Sequence, residues 1–175
     1  MSKFNWLKCV PVNVGSDPNH SLEVQGTVTD QSSVIVGMGA RIDSNNDFTT
    51  LALWVAPIQD DGTIGKSKMV TFGSDPDHSL EASGQVGNQE VVTGVGMRAA
   101  SGDLTTLVLY ARRLDANTGR LSTAVTPYKF GTDPNQELEV DWNSCDGSQT
   151  IINGIGLRCA SGDVTTMVLD TANLV

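Results

Sequence analysis

Apolar and polar positions alternate in short runs along the whole chain, and the same runs return three times. Val12 and Val14 alternate with polar or small neighbours, and Val70/Phe72 and Tyr128/Phe130 hold the equivalent places. A period of two with β-branched and aromatic residues predicts a strand in each copy. A Gly-Ser/Thr-Asp-Pro turn follows. In the next run Leu22/Val24, Leu80/Ala82 and Leu138/Val140 share one face, and Glu23, Glu81 and Glu139 the other. Continuing the inward phase gives Gly26, Gly84 and Trp142, which makes Trp142 a filler of core space.

The third run has Val36/Met38, Thr93/Val95/Met97 and Asn153/Ile155/Leu157 facing in. Its outward set is Gly37/Gly39/Arg41, Gly94/Gly96/Arg98 and Gly154/Gly156/Arg158. Two glycines at fixed places in a strand imply close backbone approach or a bend. The fourth run follows a tight turn and a Thr-Thr pair. Leu51/Leu53, Leu107/Leu109 and Met167/Leu169 face in, and Trp54, Tyr110 and Asp170 face out. Asp-Gly and Asn-Thr-Gly turns beyond it predict that the last strand of one repeat pairs with the first of the next.

The repeat is regular. Gly15, Gly73 and Gly131 open the shared turn at intervals of 58 residues, and 11 of 20 positions are identical between Glu90–Leu109 and Thr150–Leu169. No segment has helical periodicity, so the prediction is all-β, with three repeats of four strands at about 8–65, 66–123 and 124–175. A strand- and glycine-rich unit of this size buries little surface alone, so the three are expected to close on each other as one domain, 1–175. A β-prism of three four-stranded sheets, one per wall, holds such repeats. The runner-up is a β-trefoil, whose repeats are shorter and often carry Gln-x-Trp, absent here.

Charge narrows the partners. The chain carries 20 acidic and 11 basic residues, net −9, with no Lys/Arg cluster. Nucleic acid and anionic membrane surfaces need a concentrated basic patch and are excluded as primary partners. No apolar run reaches the ~20 residues of a membrane span. The opening MSKFNWLKCV has one apolar patch too short for a signal-peptide core, which reads as a mature or cytosolically made chain, released or not. Cys9, Cys145 and Cys159 are odd in number, do not recur across repeats and lack metal-site spacing. Cys159 falls in the inward phase and reads as a small core residue.

The phrase SQTIINGIGLRCASGDV, residues 148–164, resembles the repeats of the vitelline membrane outer layer protein I family. Ile152-Asn153-Gly154-Ile155, Leu157-Arg158-Cys159 and Ser161-Gly162-Asp163 carry the resemblance, and GVGMRA from Gly94 and GMGARI from Gly37 repeat it more weakly. It implies a β-prism with three internal repeats. It also implies kinship with β-prism lectins and with prism domains attached to pore-forming proteins. The chain departs from that family in having few cysteines and few Trp-Gly turns, and it lacks the sugar-loop motifs of the jacalin-type and monocot mannose lectins. The resemblance therefore assigns no sugar-binding residue.

Four groups of residues are candidates for chemistry. Asp17-Pro-Asn-His20-Ser21 and Asp75-Pro-Asp-His78-Ser79 have the residue types of a hydrolase triad, but neighbours in a tight turn do not converge as a triad must, and the third copy has Gln136 and Glu137. Asp17, Asp75 and Asp133 offer oxygen ligands with Asn19/Glu23, Asp77/Glu81 and Asn135/Glu139, a set for Ca²⁺ if any metal binds, although turn chemistry alone explains them. Glu23/Arg41, Glu81/Arg98 and Glu139/Arg158 recur on outward faces, either as surface ion pairs or as hydrogen-bonding partners for sugar hydroxyls. Trp54 and Tyr110 stand beside a bare Gly-x-Gly backbone, a surface for an apolar sugar face or for aromatic cover over glycine; Asp170 breaks the threefold pattern.

These readings favour a non-catalytic, lectin-like module recognising a glycan or cell-surface receptor at up to three quasi-equivalent sites, with no cofactor. Two alternatives stand beside it. One is an insecticidal or pore-forming-type toxin component that recognises a membrane or receptor and works with a co-expressed partner; self-association as a homo-oligomer is a separate expectation. The other is a structural coat or matrix protein.

Overall fold

A computed structural model describes residues 4–144 and 147–175. Its strands are β1 (Trp6–Lys8), β2 (Val12–Val14), β3 (Val24–Thr27), β4 (Ser33–Ile42), β5 (Phe48–Pro57), β6 (Lys68–Phe72) and β7 (Ala82–Gln85). They continue as β8 (Glu90–Ala100), β9 (Asp103–Arg113), β10 (Thr126–Phe130), β11 (Val140–Asn143), β12 (Thr150–Ala160) and β13 (Asp163–Leu174). The twelve expected strands form, and β1 is an addition. They make three antiparallel walls, the architecture of a β-prism. Wall I has the order β6-β5-β4-β7 and wall II β10-β9-β8-β11. Wall III is β1-β13-β12-β3, with β2 also on β13.

Each wall joins the second half of one repeat to the first half of the next. The expected pairing of a repeat's last strand with its successor's first holds in β5–β6 and β9–β10. Wall III closes the ring, since β13 pairs with β2 and β12 with β3. The two phrases shared by all repeats recur because they meet here. The Thr50, Thr106 and Thr166 hydroxyls donate to the carbonyls of Asp75, Asp133 and Asp17, each at 2.7 Å. The same turns donate the Asp75, Asp133 and Asp17 N–H to the carbonyls of Thr49, Thr105 and Thr165.

The walls bury one contiguous core. Its centre repeats in threes: Met38/Val95/Ile155, Ala40/Met97/Leu157, Leu53/Leu109/Leu169 and Leu51/Leu107/Met167 are all essentially unexposed. Cys159 is buried as expected. Leu22, Leu80 and Leu138 do not face the core as expected. They precede their strands and lie over the glycines of the neighbouring strand: a Cβ on Gly156 would come within 2.3 Å of Leu22 Cδ1, and one on Gly39 within 2.8 Å of Leu80 Cδ1. The close approach inferred from Gly-x-Gly is made by these leucines.

At the corners, volume is traded between walls. The Phe72 ring of wall I fills the space above Gly26 of wall III, and Phe130 of wall II that above Gly84 of wall I. The third corner brings β2 against β11, with Val14 in the phenylalanine place and Trp142 in the glycine place. Both pack on the core, so Trp142 does fill space supplied elsewhere by another residue. Trp142→Gly is expected to cost about 2–4 kcal/mol. Adding Val14→Phe should recover at least about 1 kcal/mol of that through favourable coupling. Urea unfolding of the two single variants and the double variant measures it, and additive losses would show the corner volumes to be independent.

Candidate functional site

The three glutamates do not pair with the arginines named for them. Because strands are exchanged between repeats, Glu81 lies beside the Arg41 strand, Glu139 beside that of Arg98, and Glu23 beside that of Arg158. Each glutamate instead accepts two backbone N–H groups, one from its own wall and one from the next. Glu23 Oε1 accepts from Cys159 (2.9 Å) and Phe48 (3.2 Å). Glu81 Oε1 accepts from Ile42 (2.7 Å) and Leu104 (3.0 Å). Glu139 Oε1 accepts from Ala99 (2.8 Å) and Val164 (3.1 Å). The carboxylates therefore tie wall III to I, I to II and II to III.

The arginines fasten loops. Arg41 Nη1 donates to the Ser79 carbonyl and hydroxyl, Arg158 to those of Ser21, and Arg98 to the Glu137 carbonyl. Arg41 stands four residues beyond Gly37, which pairs with Trp54, so about 13 Å of strand separates it from the aromatic row. The structure does not bring the Glu and Arg sets together with Trp54 and Tyr110.

The glutamates carry shifted acidities. Burial raises all three carboxyls above the ordinary Glu range, aided by a neighbouring hairpin carboxyl: Asp47 for Glu23, Asp103 for Glu81 and Asp163 for Glu139. The backbone N–H donors oppose this shift. Close by, burial and the acidic neighbours Glu23, Asp47 and Asp43 push the Cys159 thiol up to about 12, and its Sγ donates to the Asn46 carbonyl. Cys9 and Cys159 are free thiols; Cys145 lies outside the described residues.

Asp17, Asp75 and Asp133 are exposed in three separate turns, one on each wall. Glu23, Glu81 and Glu139, offered as co-ligands, are committed to the backbone. Asp133 Oδ2 accepts from Gln136 Nε2 at 3.0 Å. Among the described residues no group of three or more His, Cys, Asp or Glu side chains is placed to hold a metal. His20 and His78 meet only their chain neighbours, with Nδ1 3.2 Å from Ser21 and Ser79 Oγ, on the exposed surface.

The outward row survives in altered form. The glycines beside Trp54 and Tyr110 are buried, not a bare platform: Gln85 covers Gly37, Asn143 covers Gly94, and the leucines cover the second glycine of each pair. The aromatic rings remain half-buried on the outer face. In wall II, Tyr110 borders a groove of 240 Å³ floored by Val108 and Leu138 and edged by Pro127, Lys129 and Gln136. The Tyr110 hydroxyl donates to Asp141 Oδ1 at 2.8 Å, which fixes the ring; burial first, then this carboxylate, holds the phenol well above its usual range. In wall III, Asp170 Oδ2 accepts from Thr27 Oγ1 at 2.9 Å instead. Sequence reasoning missed a cavity of 650 Å³ at the edge of the same wall, lined by Trp6, Thr27, Asp30 and Asn153 among others. The signal for it was Asn153, a carboxamide in an inward position.

Because the glutamate carboxyls are raised in the folded protein, folding is favoured by their protonation. That stabilisation is full below the ordinary Glu range and is lost as pH rises through the raised values. Thermal stability is expected to increase as pH falls from neutrality toward the ordinary Glu range, and this gain should vanish in a Glu23→Gln/Glu81→Gln/Glu139→Gln variant. Glu81→Ala, which strips two backbone donors of their acceptor, should cost about 1–3 kcal/mol, and Glu81→Gln much less. Calorimetry across pH on these variants decides it.

Among solved structures the chain is similar to Calystegia sepium agglutinin, with 14% identity over 99% of this chain and 97% of that one and a TM-score of 0.46. It is similar to Calsepa lectin in complex with a biantennary N-glycan, with 14% identity, 99% and 97% coverage and a TM-score of 0.47. A mannose-specific jacalin-related lectin from Morus nigra in complex with mannose gives 9% identity, 96% and 95% coverage and a TM-score of 0.40. No family model and no curated protein sequence matches the chain, so the resemblance to the vitelline membrane outer layer protein I family stands on its motifs alone.

Proposed function

We propose that the protein is a non-catalytic binding module that recognises carbohydrate on its outer faces, with the wall II groove as its principal site. The observation that carries this reading is the Tyr110 ring, locked by Asp141 beside an apolar floor and the polar ends of Lys129 and Gln136. An aromatic ring held at a surface suits the C–H face of a sugar, while fixed polar groups nearby suit its hydroxyls. Wall I supports a second, different site at Trp54, which pairs with the exposed Met69. Wall III has Asp170 in the aromatic place. The three faces thus share a frame and not a surface, and they would read different parts of a glycan. Weak sites of this kind gain from simultaneous engagement.

The non-catalytic reading is supported by the Ser and His pairs of the exposed turns, which join chain neighbours and are absent from the third copy. A Trp54→Ala/Tyr110→Ala variant is expected to lose glycan-array signal while its circular dichroism spectrum stays that of the parent. Undiminished glycan binding in that variant would remove these rings as the platform.

A further inference from the structure

Asn153 sits at a β-bulge, where the pairing of β12 with β13 shifts register between Ile152 and Gly154. Its carbonyl accepts the Val28 N–H at 2.8 Å. Its carboxamide is a different matter: the side chain is 1% exposed, and neither Nδ2 nor Oδ1 has a hydrogen-bond partner. The other walls have the same bulge and resolve it. Val36 stands there in wall I and needs no partner. In wall II the Thr93 hydroxyl donates to Asn143 Oδ1 at 3.1 Å.

The surroundings of the bulge also differ. In walls I and II the loop after the fourth strand closes over it, held by a glutamine: Gln89 Oε1 accepts from the Ile64 N–H and Gln149 Oε1 from that of Leu121, at 3.0 and 2.7 Å. In wall III Ser32 stands in the place of that glutamine and is too short to hold a loop, Gln31 before it is exposed at the cavity edge, and β1 takes the place of the loop. The space at the bulge is 160 Å³ in wall I and 650 Å³ in wall III. The larger value lies within the ordinary range for small-ligand sites, about 300–1,000 Å³.

We propose that this cavity is a second, separate binding site, for a single neutral polyhydroxylated ring such as one monosaccharide residue, with the Asn153 carboxamide as its recognising group. A carboxamide places one donor and one acceptor side by side, and a pair of neighbouring hydroxyls answers both. The remaining wall suits the same ligand. Asp30 is a preset acceptor, its carboxylate held by the Ser32 N–H (3.0 Å), the Ser32 hydroxyl (2.8 Å) and the Ser33 hydroxyl (3.1 Å). Lys8 lines the same cavity, so its lining carries one carboxylate and one ammonium with no net charge, which suits a neutral ligand. Trp6 is fixed by its indole N–H to the Ser33 carbonyl at 2.6 Å and offers an apolar flank. The ligand class rests on the carbohydrate reading; the location rests on the unpaired amide and does not.

The test titrates methyl α-glucoside, methyl α-mannoside and methyl β-galactoside into the ¹⁵N-labelled full chain, read at the Asn153 side-chain NH₂ and the Trp6 indole N–H. At least one glycoside is expected to shift both signals saturably at millimolar concentration. Asn153→Val and Asn153→Thr copy the residues of walls I and II and so keep the fold. Both should weaken that binding roughly tenfold or more. The valine variant should also melt at a higher temperature, since the unpaired buried dipole is gone. Tyr110→Ala should leave the cavity titration unchanged. Parent-strength binding in Asn153→Val, or no shift at Asn153 and Trp6 with any glycoside, overturns the site. Glycoside binding lost only in Tyr110→Ala would leave the outer-face reading standing and this one refuted.

Discussion

Three carboxylates that each accept two backbone N–H groups hold the walls together. Glu23, Glu81 and Glu139 bind donors from two walls apiece, so the three links run III to I, I to II and II to III and close on themselves. Removing one opens a ring, not a local contact. The same closure explains why strands are exchanged between repeats. Walls made only from their own repeats would leave the corner between the last and the first without a chain crossing. A wall that takes two strands from the next repeat makes every corner a covalent crossing as well. The N–H donors themselves sit where β4, β8 and β12 end and where β5, β9 and β13 begin, places where ladder pairing alone leaves groups to satisfy. Burial of the glutamates raises their pKa values, making them weaker acids, and the donors partly offset that cost.

Much of the frame was legible because its period is simple. Alternation placed twelve strands, and the 58-residue interval placed their threefold order. The inward residues of the third and fourth strands, from Met38 to Leu169, are the ones the core buries. What misled was the edge of each short strand. Leu22, Leu80 and Leu138 share parity with buried residues, yet the chain has not entered the sheet at those positions, and they swing over glycine. The glutamates one residue later are polar and therefore read as outward. Nothing in a period of two reveals that a backbone donor from another wall waits for each of them. The glycine pairs were correctly read as sites of close approach, but a side chain fills them, and the bare platform does not exist.

The candidate site was less legible, for a physical reason. Repeats report what they share, and the surfaces proposed for binding lie where they differ. Trp54, Tyr110 and Asp170 were visible as departures on the outer face, and the Tyr110–Asp141 bond and its groove give one of them a defined setting. The cavity of wall III could not be seen, because it depends on β1 standing where a loop stands elsewhere. Only Asn153 pointed to it, as a polar residue in a run of inward apolar positions.

That residue bears on how the fold and its use are related. The bulge occurs three times with nearly the same backbone, so the walls act as controls for one another. Valine meets the position without a polar atom, and threonine meets it with a partnered hydroxyl. An unpaired buried polar group typically costs about 1–3 kcal/mol, which either alternative would avoid. The unfavourable choice falls at a bulge with more space around it than its counterpart in wall I, and with a pinned carboxylate and indole in the same wall. Where local satisfaction fails at one of three equivalent places, and the failure coincides with an open volume, the missing partner belongs in that volume.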